Sequence, residues 1–248
     1  MKYQGSKRRL VNKIIPVIES IKRPEQWYVE PFVGGANVIQ HVSGKRIGAD
    51  INKYMIAYLK EIQNGLTTFP IIYEEQYKDI RNNIDKYDEW LVGYAMSSYG
   101  FMGNYGTAAY MTADSPEIIK RKIEKMAKKE YKRLKGIHFV ASDYKELDIP
   151  PYSFIYCDPP YNNRNGYINN DNFKTSEFWD WCKAKISEGH VILVSELQAP
   201  YDFIQIIKQK LKYRCKASKN HPEVEEKLFM HYSQVHLYEK NLLFKFEK

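Results

Sequence analysis

Apolar residues between Lys7 and Ile21 fall at Leu10, Val11, Ile14, Ile15, Val17, Ile18 and Ile21, the spacing of a helix with one buried face. Ser6 is placed to cap it, and Pro16 to kink it or end it early. The short apolar run Trp27–Glu30 predicts a buried strand and Arg46–Asp50 a second. Ala36–His41 reads as a helix between them, a β-α-β opening that points to a parallel sheet. From Asn52 to about Gly136 the pattern is mostly helical. Asp114-Ser-Pro-Glu117 marks the start of a long helix over 118–135, with Ile118, Ile119, Ile123, Met126, Tyr131 and Leu134 inward. Strand patterns resume at 137–141, 154–157 and 191–195, and alternation over 234–246 predicts one or two closing strands. The chain thus reads as an α/β sheet interrupted by a helical insertion near residues 55–135.

Length and composition narrow this picture. The 248 residues fit one large domain, or a core carrying an insertion. With 44% hydrophobic and 15% aromatic residues, a disordered or collagen-like chain is excluded. Lys and Arg number 38 against 30 Asp and Glu, a net charge of +8 that favours a nucleic acid or an anionic membrane surface as partner. Nine basic residues against two acidic ones lie in 118–135. Such runs are commonly solvated faces, and in a DNA enzyme they are candidate phosphate contacts. No apolar run is long enough to cross a bilayer, and Asn12, Lys13, Pro16 and Glu19 interrupt any signal-peptide segment. Cys157, Cys182 and Cys215 stand far apart and suggest neither a disulfide framework nor a zinc site. A soluble, reduced, intracellular protein is expected.

The sharpest chemical signal is Asp158-Pro159-Pro160-Tyr161, directly after the apolar run 154–157. Ligands of open α/β sheets bind at the carboxyl ends of strands. The two prolines stiffen the loop and remove donors, leaving the Asp158 carboxylate and the Pro159 carbonyl as acceptors suited to an exocyclic amine. Tyr161 offers a face for a stacked base. The bland reading is a turn with a solvated carboxylate. Glu30-Pro31-Phe32-Val33-Gly34-Gly35-Ala36-Asn37 also follows a strand, and Gly34 and Gly35 permit close backbone approach to a ligand. It is neither a GxGxxG fingerprint nor a phosphate loop. Asp50 ends the second strand, where a carboxylate either receives ribose hydroxyls or caps the next helix. Lys7, in Lys2-Tyr3-Gln4-Gly5-Ser6-Lys7, is suited to a ligand carboxylate, though such a lysine is more often a surface charge.

The ordered set Lys-Tyr-x-Gly-Ser-Lys, Glu-Pro-Phe-x-Gly-Gly, Asp, insertion, Asp-Pro-Pro-Tyr resembles the Dam-type (D12 class) DNA adenine-N6 methyltransferases, over most of the chain. The resemblance implies a Rossmann-like mixed sheet flanked by helices, with residues 1–54 and 136–248 as catalytic domain and 55–135 as a mostly helical, inserted target-recognition domain. It implies S-adenosyl-L-methionine as methyl donor, S-adenosyl-L-homocysteine as product, no metal, and a flipped-out adenine of double-stranded DNA as substrate. The cofactor residues so implied are Tyr3, Lys7, Pro31, Phe32, Gly34, Gly35, Asp50, Asp143, Tyr144 and Asp158. The catalytic ones are Asp158, Pro159, Pro160 and Tyr161. Lys7 would meet the methionine carboxylate, and Ser142-Asp143-Tyr144 the purine ring. Tyr99–Gly106 is similar to the Gly- and aromatic-rich stretch of phage-type relatives. Arg8, Tyr99, Asn104, Tyr105, Lys128 and Lys129 are the expected DNA contacts. A monomer or weak dimer in a bacterial or phage-infected cell, with a restriction-modification role among the possibilities, completes the expectation. The glycine loop departs from the common Gly-Ala-Gly-Ser form. Methylation of an RNA adenine or a protein amide, and a catalytically silent nucleic-acid-binding relative, remain alternatives; Asp rather than Asn at 158 speaks against the amide.

Overall fold

The computed structural model describes residues 7–101, 104–105, 114–160, 173–212 and 223–239. Its strands are β1 (Tyr28–Glu30), β2 (Arg46–Asp50), β3 (Gly100–Phe101), β4 (Asn104–Tyr105), β5 (Ile137–Ala141), β6 (Phe154–Cys157), β7 (Val191–Glu196), β8 (Phe203–Lys212) and β9 (Glu223–His231). The helices are α1 (Val11–Ile21), α2 (Lys53–Gln63), α3 (Glu74–Asn82), α4 (Glu89–Ser98), α5 (Pro116–Leu134) and α6 (Thr175–Ser187). Seven strands form one sheet in the order β5-β2-β1-β6-β7-β9-β8. The first five are parallel; β9 and β8 run antiparallel to their neighbours. This mixed sheet with flanking helices is the Rossmann-like α/β architecture that the resemblance implied.

Side-chain alternation explains the two layers. Tyr28, Phe154 and Tyr156 enter the core on one face, with residues of α1, α2, α4 and α5. Val29, Ile155 and Cys157 enter the other, with Phe178, Trp179 and Cys182 of α6. Strands buried on both faces read as continuous apolar runs, which is why 154–157 and 191–194 stood out.

Four local expectations are corrected. α1 begins at Val11 after a 3-10 turn at Lys7–Arg9, and it runs through Pro16 to Ile21. Burial of Ile14, Val17, Ile18 and Ile21 on both sides of the proline outweighs the lost backbone bond. The segment 36–41 holds only a 3-10 turn at Ile39–His41, because Gly34 (φ 46°) and Ala36 (φ 53°) adopt left-handed conformations that no α-helix continues. Among the described residues the sheet's last strands are β8 and β9, and 234–239 of the segment expected to alternate form no strand: the chain leaves β9 in a 3-10 turn at Tyr232–Gln234. There the buried Gln234 amide donates to the His190 carbonyl (2.6 Å) and accepts from the Ile192 amide (3.1 Å). Residues 240–248, and Ser6 as a cap, lie outside the described residues.

Between β2 and β5 the helices share the core that covers one sheet face. α4 lies so close on α2 that a Cβ at Gly93 would stand 2.1 Å from the Tyr54 carbonyl oxygen. Much of the tyrosine content is spent here. The rings of Tyr58, Phe69, Tyr94, Tyr99, Tyr77 and Tyr105 pack at centroid distances of 4.9–6.5 Å. Their hydroxyls are used too: Tyr94 donates to the Pro70 carbonyl, Tyr99 to that of Pro116 and Tyr105 to that of Ile72.

Candidate active site

β1 lies between β2 and β6, so the loops leaving β1 and β6 part at the point where strand order reverses. That crevice is where open α/β sheets take ligands. The loop after β1 carries Pro31 to Asn37, and the loop after β6 carries Asp158 to Pro160.

The Asp158 carboxylate is 22% exposed and forms an ion pair with the ammonium of Lys7 (Nζ to Oδ1, 2.8 Å), itself 3% exposed. The 3-10 turn before α1 therefore brings Lys7 to the loop after β6. Pro159 is buried and Pro160 half-buried, so the loop is anchored on its apolar side. Asp50 is half-buried at the tip of β2. Its Oδ2 accepts from the Gly34 amide and its Oδ1 from the Asn52 amide, both at 2.9 Å. Gly34 presents that N–H because it takes a left-handed conformation. Burial pushes the Asp50 carboxyl upward and the two amides pull it back. The helix-capping role weighed for Asp50 belongs to Asn52, whose Oδ1 accepts from the Met55 amide (3.1 Å).

Phe32 is half-buried and packs against Tyr144 (5.2 Å between centroids), Phe173 and Phe178. Tyr144 also meets Trp181 edge-on at 5.3 Å. Asp143 begins the turn after β5 and accepts from the Lys145 amide (2.8 Å). The 3-10 turn before α1 and the loops after β1, β2, β5 and β6 thus gather Lys7, Pro31, Phe32, Gly34, Gly35, Asp50, Asp143, Tyr144, Asp158, Pro159 and Pro160 at one edge of the sheet. Each Asp50 oxygen keeps a lone pair beyond its backbone bond, and the aromatic wall beside it is apolar. That set of acceptors and flat apolar surface fits a nucleoside with vicinal hydroxyls.

One residue of this site was named in the sequence only as part of a strand and a motif, with no role of its own. Glu30, the last residue of β1, is 3% exposed and accepts a 2.6 Å hydrogen bond from the Tyr28 hydroxyl. Burial is the main cause that lifts its carboxyl to about 8, and the charge of Asp158 adds to it. The signal was present: an acid inside an apolar strand, with a tyrosine two residues earlier on the same face.

The expected DNA contacts disperse. Arg8 is exposed, next to Lys7 at the edge that bears Asp158. Tyr99 is fully buried in the tyrosine core, and Tyr105 is half-buried against it, so both rings have packing roles. Asn104 sits in the two-residue strand paired with Gly100–Phe101. Lys128 and Lys129 are exposed, but the last turn of α5 meets the start of β2, where Arg46 donates to the Arg133 and Lys135 carbonyls. They stand six and five residues before Leu134, the last residue of α5. Tyr3 and Tyr161 lie outside the described residues.

Comparison with known proteins agrees with this arrangement. The Type II methyltransferase M.FokI of Planomicrobium okeanokoites is 25% identical over 210 residues, which cover 73% of this chain and 31% of that protein. The chain thus spans about a third of the length of the curated relative it matches. The pattern of the D12 class N6 adenine-specific DNA methyltransferases matches residues 3–91 and 92–230. A match of that extent, with the family's loops converging on one sheet edge, means that the chain belongs to the D12 class of N6 adenine-specific DNA methyltransferases.

Proposed function

We propose that this chain moves a methyl group from S-adenosylmethionine to the N6 amine of an adenine turned out of duplex DNA. The observation that carries the reading is the Asp158 carboxylate, fixed by Lys7 at the end of β6, in the same crevice as Asp50 and the β1 loop. The bound cofactor supplies an electrophilic methyl on a positively charged sulfur. Asp50 would hold its ribose hydroxyls, Phe32 and Tyr144 its apolar surface, Asp143 its purine edge, with Tyr3, Pro31, Gly34 and Gly35 completing the wall.

Adenine N6 is a poor nucleophile because its lone pair is shared with the ring. The Asp158 carboxylate and the Pro159 carbonyl would accept its two hydrogens and raise electron density on nitrogen as it becomes tetrahedral. These are fixed acceptors aimed at developing charge. Lys7 holds Asp158 Oδ1 and so fixes the plane of the carboxylate, which positions the amine. Asp158 is the group placed to take the proton that N6 sheds. Unstacking the target base costs a few kcal/mol, offset in part by stacking on Tyr161. Residues 55–135 would supply target recognition, and the Type II relative supports a restriction-modification setting.

Parallel methyl-transfer assays on duplex DNA, RNA and protein, with sequencing of modified adenines in cells expressing the chain, test this. Label confined to N6-methyladenine in DNA is expected. Label in RNA or in a protein amide, or no label anywhere, rejects it.

A further inference from the structure

The connection from β1 to β2 passes through the 3-10 turn at Ile39–His41, and Arg46, the first residue of β2, clasps that turn to the end of α5. Its Nη1 donates to the Ile39 carbonyl (3.4 Å) and to the Arg133 carbonyl (3.1 Å), and its Nη2 donates to the Lys135 carbonyl (2.7 Å). These bonds use backbone oxygens, so the Arg133 side chain stays exposed. Partial burial is the larger cause that holds the His41 imidazole below its ordinary value, and the charges of Arg133 and Arg8 add to it. Glu130, buried on the inner side of α5, acts on His41 in the opposite sense. Arg8 follows Lys7, the partner of Asp158. Cationic and imidazole groups therefore run from the edge that bears Asp158 to the start of β2, beside a strand that rises about 13 Å from Arg46 to Asp50.

Arg133 also ends a stripe on α5. Lys125, Lys129 and Arg133 recur every four residues, so they share one face of the helix at intervals of about 6 Å. All three are exposed, and among the described residues none is ion-paired with a carboxylate. Other lysines of the helix differ. Lys120 is tied to Glu124 and Lys122 to Asp114, and Lys128 lies four residues from the same Glu124. Like charges four residues apart destabilise a helix, and an anion laid along them relieves the repulsion. One strand of a duplex presents a charge about every 3.4 Å of its axis, so a row about 12 Å long faces roughly three phosphates.

We propose that Lys125, Lys129 and Arg133, continued by His41 and Arg8, form a track of phosphate contacts that seats the DNA backbone and leads to the edge bearing Asp158. This rests on the reading of the chain as a DNA methyltransferase. Of the two lysines expected from the charge run, Lys129 belongs to the track and Lys128 does not.

The test is the salt dependence of duplex DNA affinity for the full chain and for Lys129→Gln/Arg133→Gln. Each lost phosphate contact lowers the slope of log K against log salt by about 0.9. The expected result is a slope lower by about 1.8 and at least about a tenfold loss of affinity in low salt. S-adenosylhomocysteine affinity and melting temperature should not change, and Lys129→Arg/Arg133→Lys should keep the wild-type slope. Lys183→Gln/Lys185→Gln, on α6 across the sheet, removes the same charge and should leave the slope unaltered. An unchanged slope in the track variant overturns the proposal. An equal fall in the α6 variant does so too, because it reports net charge rather than a track. Weakened cofactor affinity or a lower melting temperature makes Lys129 and Arg133 supports of the fold, and a larger change on duplex RNA than on DNA assigns the stripe to another partner. Methyl transfer to DNA by the wild-type chain is measured first. Its absence sinks the parent reading, whereas its presence with an unchanged slope sinks the track alone.

Discussion

Glu30 makes stability depend on pH in a direction opposite to that of most carboxylates. In the unfolded chain it releases its proton near the ordinary 4.5, whereas in the folded chain burial, with the Asp158 charge beside it, holds the proton to about 8. Between those values the folded state binds the extra proton, so stability falls as pH rises. The contribution is complete below 4.5 and gone above about 8. Each pH unit in that window is worth about 1.4 kcal/mol, which makes the whole change about 5 kcal/mol for a side chain with no solvent to screen it. Glu30→Gln keeps an oxygen to accept from the Tyr28 hydroxyl, now 2.6 Å away, and removes the titration. Urea unfolding at pH 5, 6, 7 and 8, with the m-value checked for constancy, yields the difference between wild type and variant. That difference should move against the wild type by about 4 kcal/mol from pH 5 to pH 8. Two stability curves that run parallel within 0.5 kcal/mol, on the order of measurement error, would falsify the assignment of a buried, protonated Glu30.

Four further outcomes are expected. Asp158→Asn should lower methyl transfer at least about 100-fold by removing a fixed acceptor of developing charge. Asp158→Ala should in addition cost about 1–3 kcal/mol in unfolding measurements, because Lys7, only 3% exposed, loses its carboxylate; wild-type stability would refute the ion pair. In Asp50→Asn a single amide oxygen replaces two acceptors of the Gly34 and Asn52 amides, so unfolding should show a loss of about 1–3 kcal/mol and titration calorimetry a weaker S-adenosylhomocysteine complex; unaltered affinity removes Asp50 from the cofactor site. Gly93→Ala should destabilise by about 1–3 kcal/mol despite alanine's better helix propensity, since its Cβ meets Tyr54 backbone, and a raised melting temperature would contradict the α2–α4 contact.

What the sequence alone determined were features that local physics enforces. Short apolar runs at 154–157 and 191–194, bounded by turn residues, fit strands buried on both faces, and the Asp-Pro-Pro and Pro-Phe-x-Gly-Gly turns directly follow such runs, so the chemistry-bearing loops were legible before any fold. Asp158, Asp50 and the β1 loop were read from such punctuation, and the structure brings them to one edge. Tertiary structure decided what depends on partners distant in the chain. Lys7 could not be joined to Asp158 across 150 residues without the α1 position, nor Glu30 known to be buried beside it. Tyr99 looked like a solvent-facing aromatic because a tyrosine in a Gly-rich stretch carries no sign of burial until Tyr94 and Pro116 arrive to receive its hydroxyl. The β8–β9 ribbon was missed for the same reason. Its alternating lysines and glutamates lack a continuous apolar face, and only pairing with β7 at its root shows that the two segments belong to the sheet. Periodicity reports which face of an element is dry, whereas the neighbour that dries it is chosen by the whole chain at once.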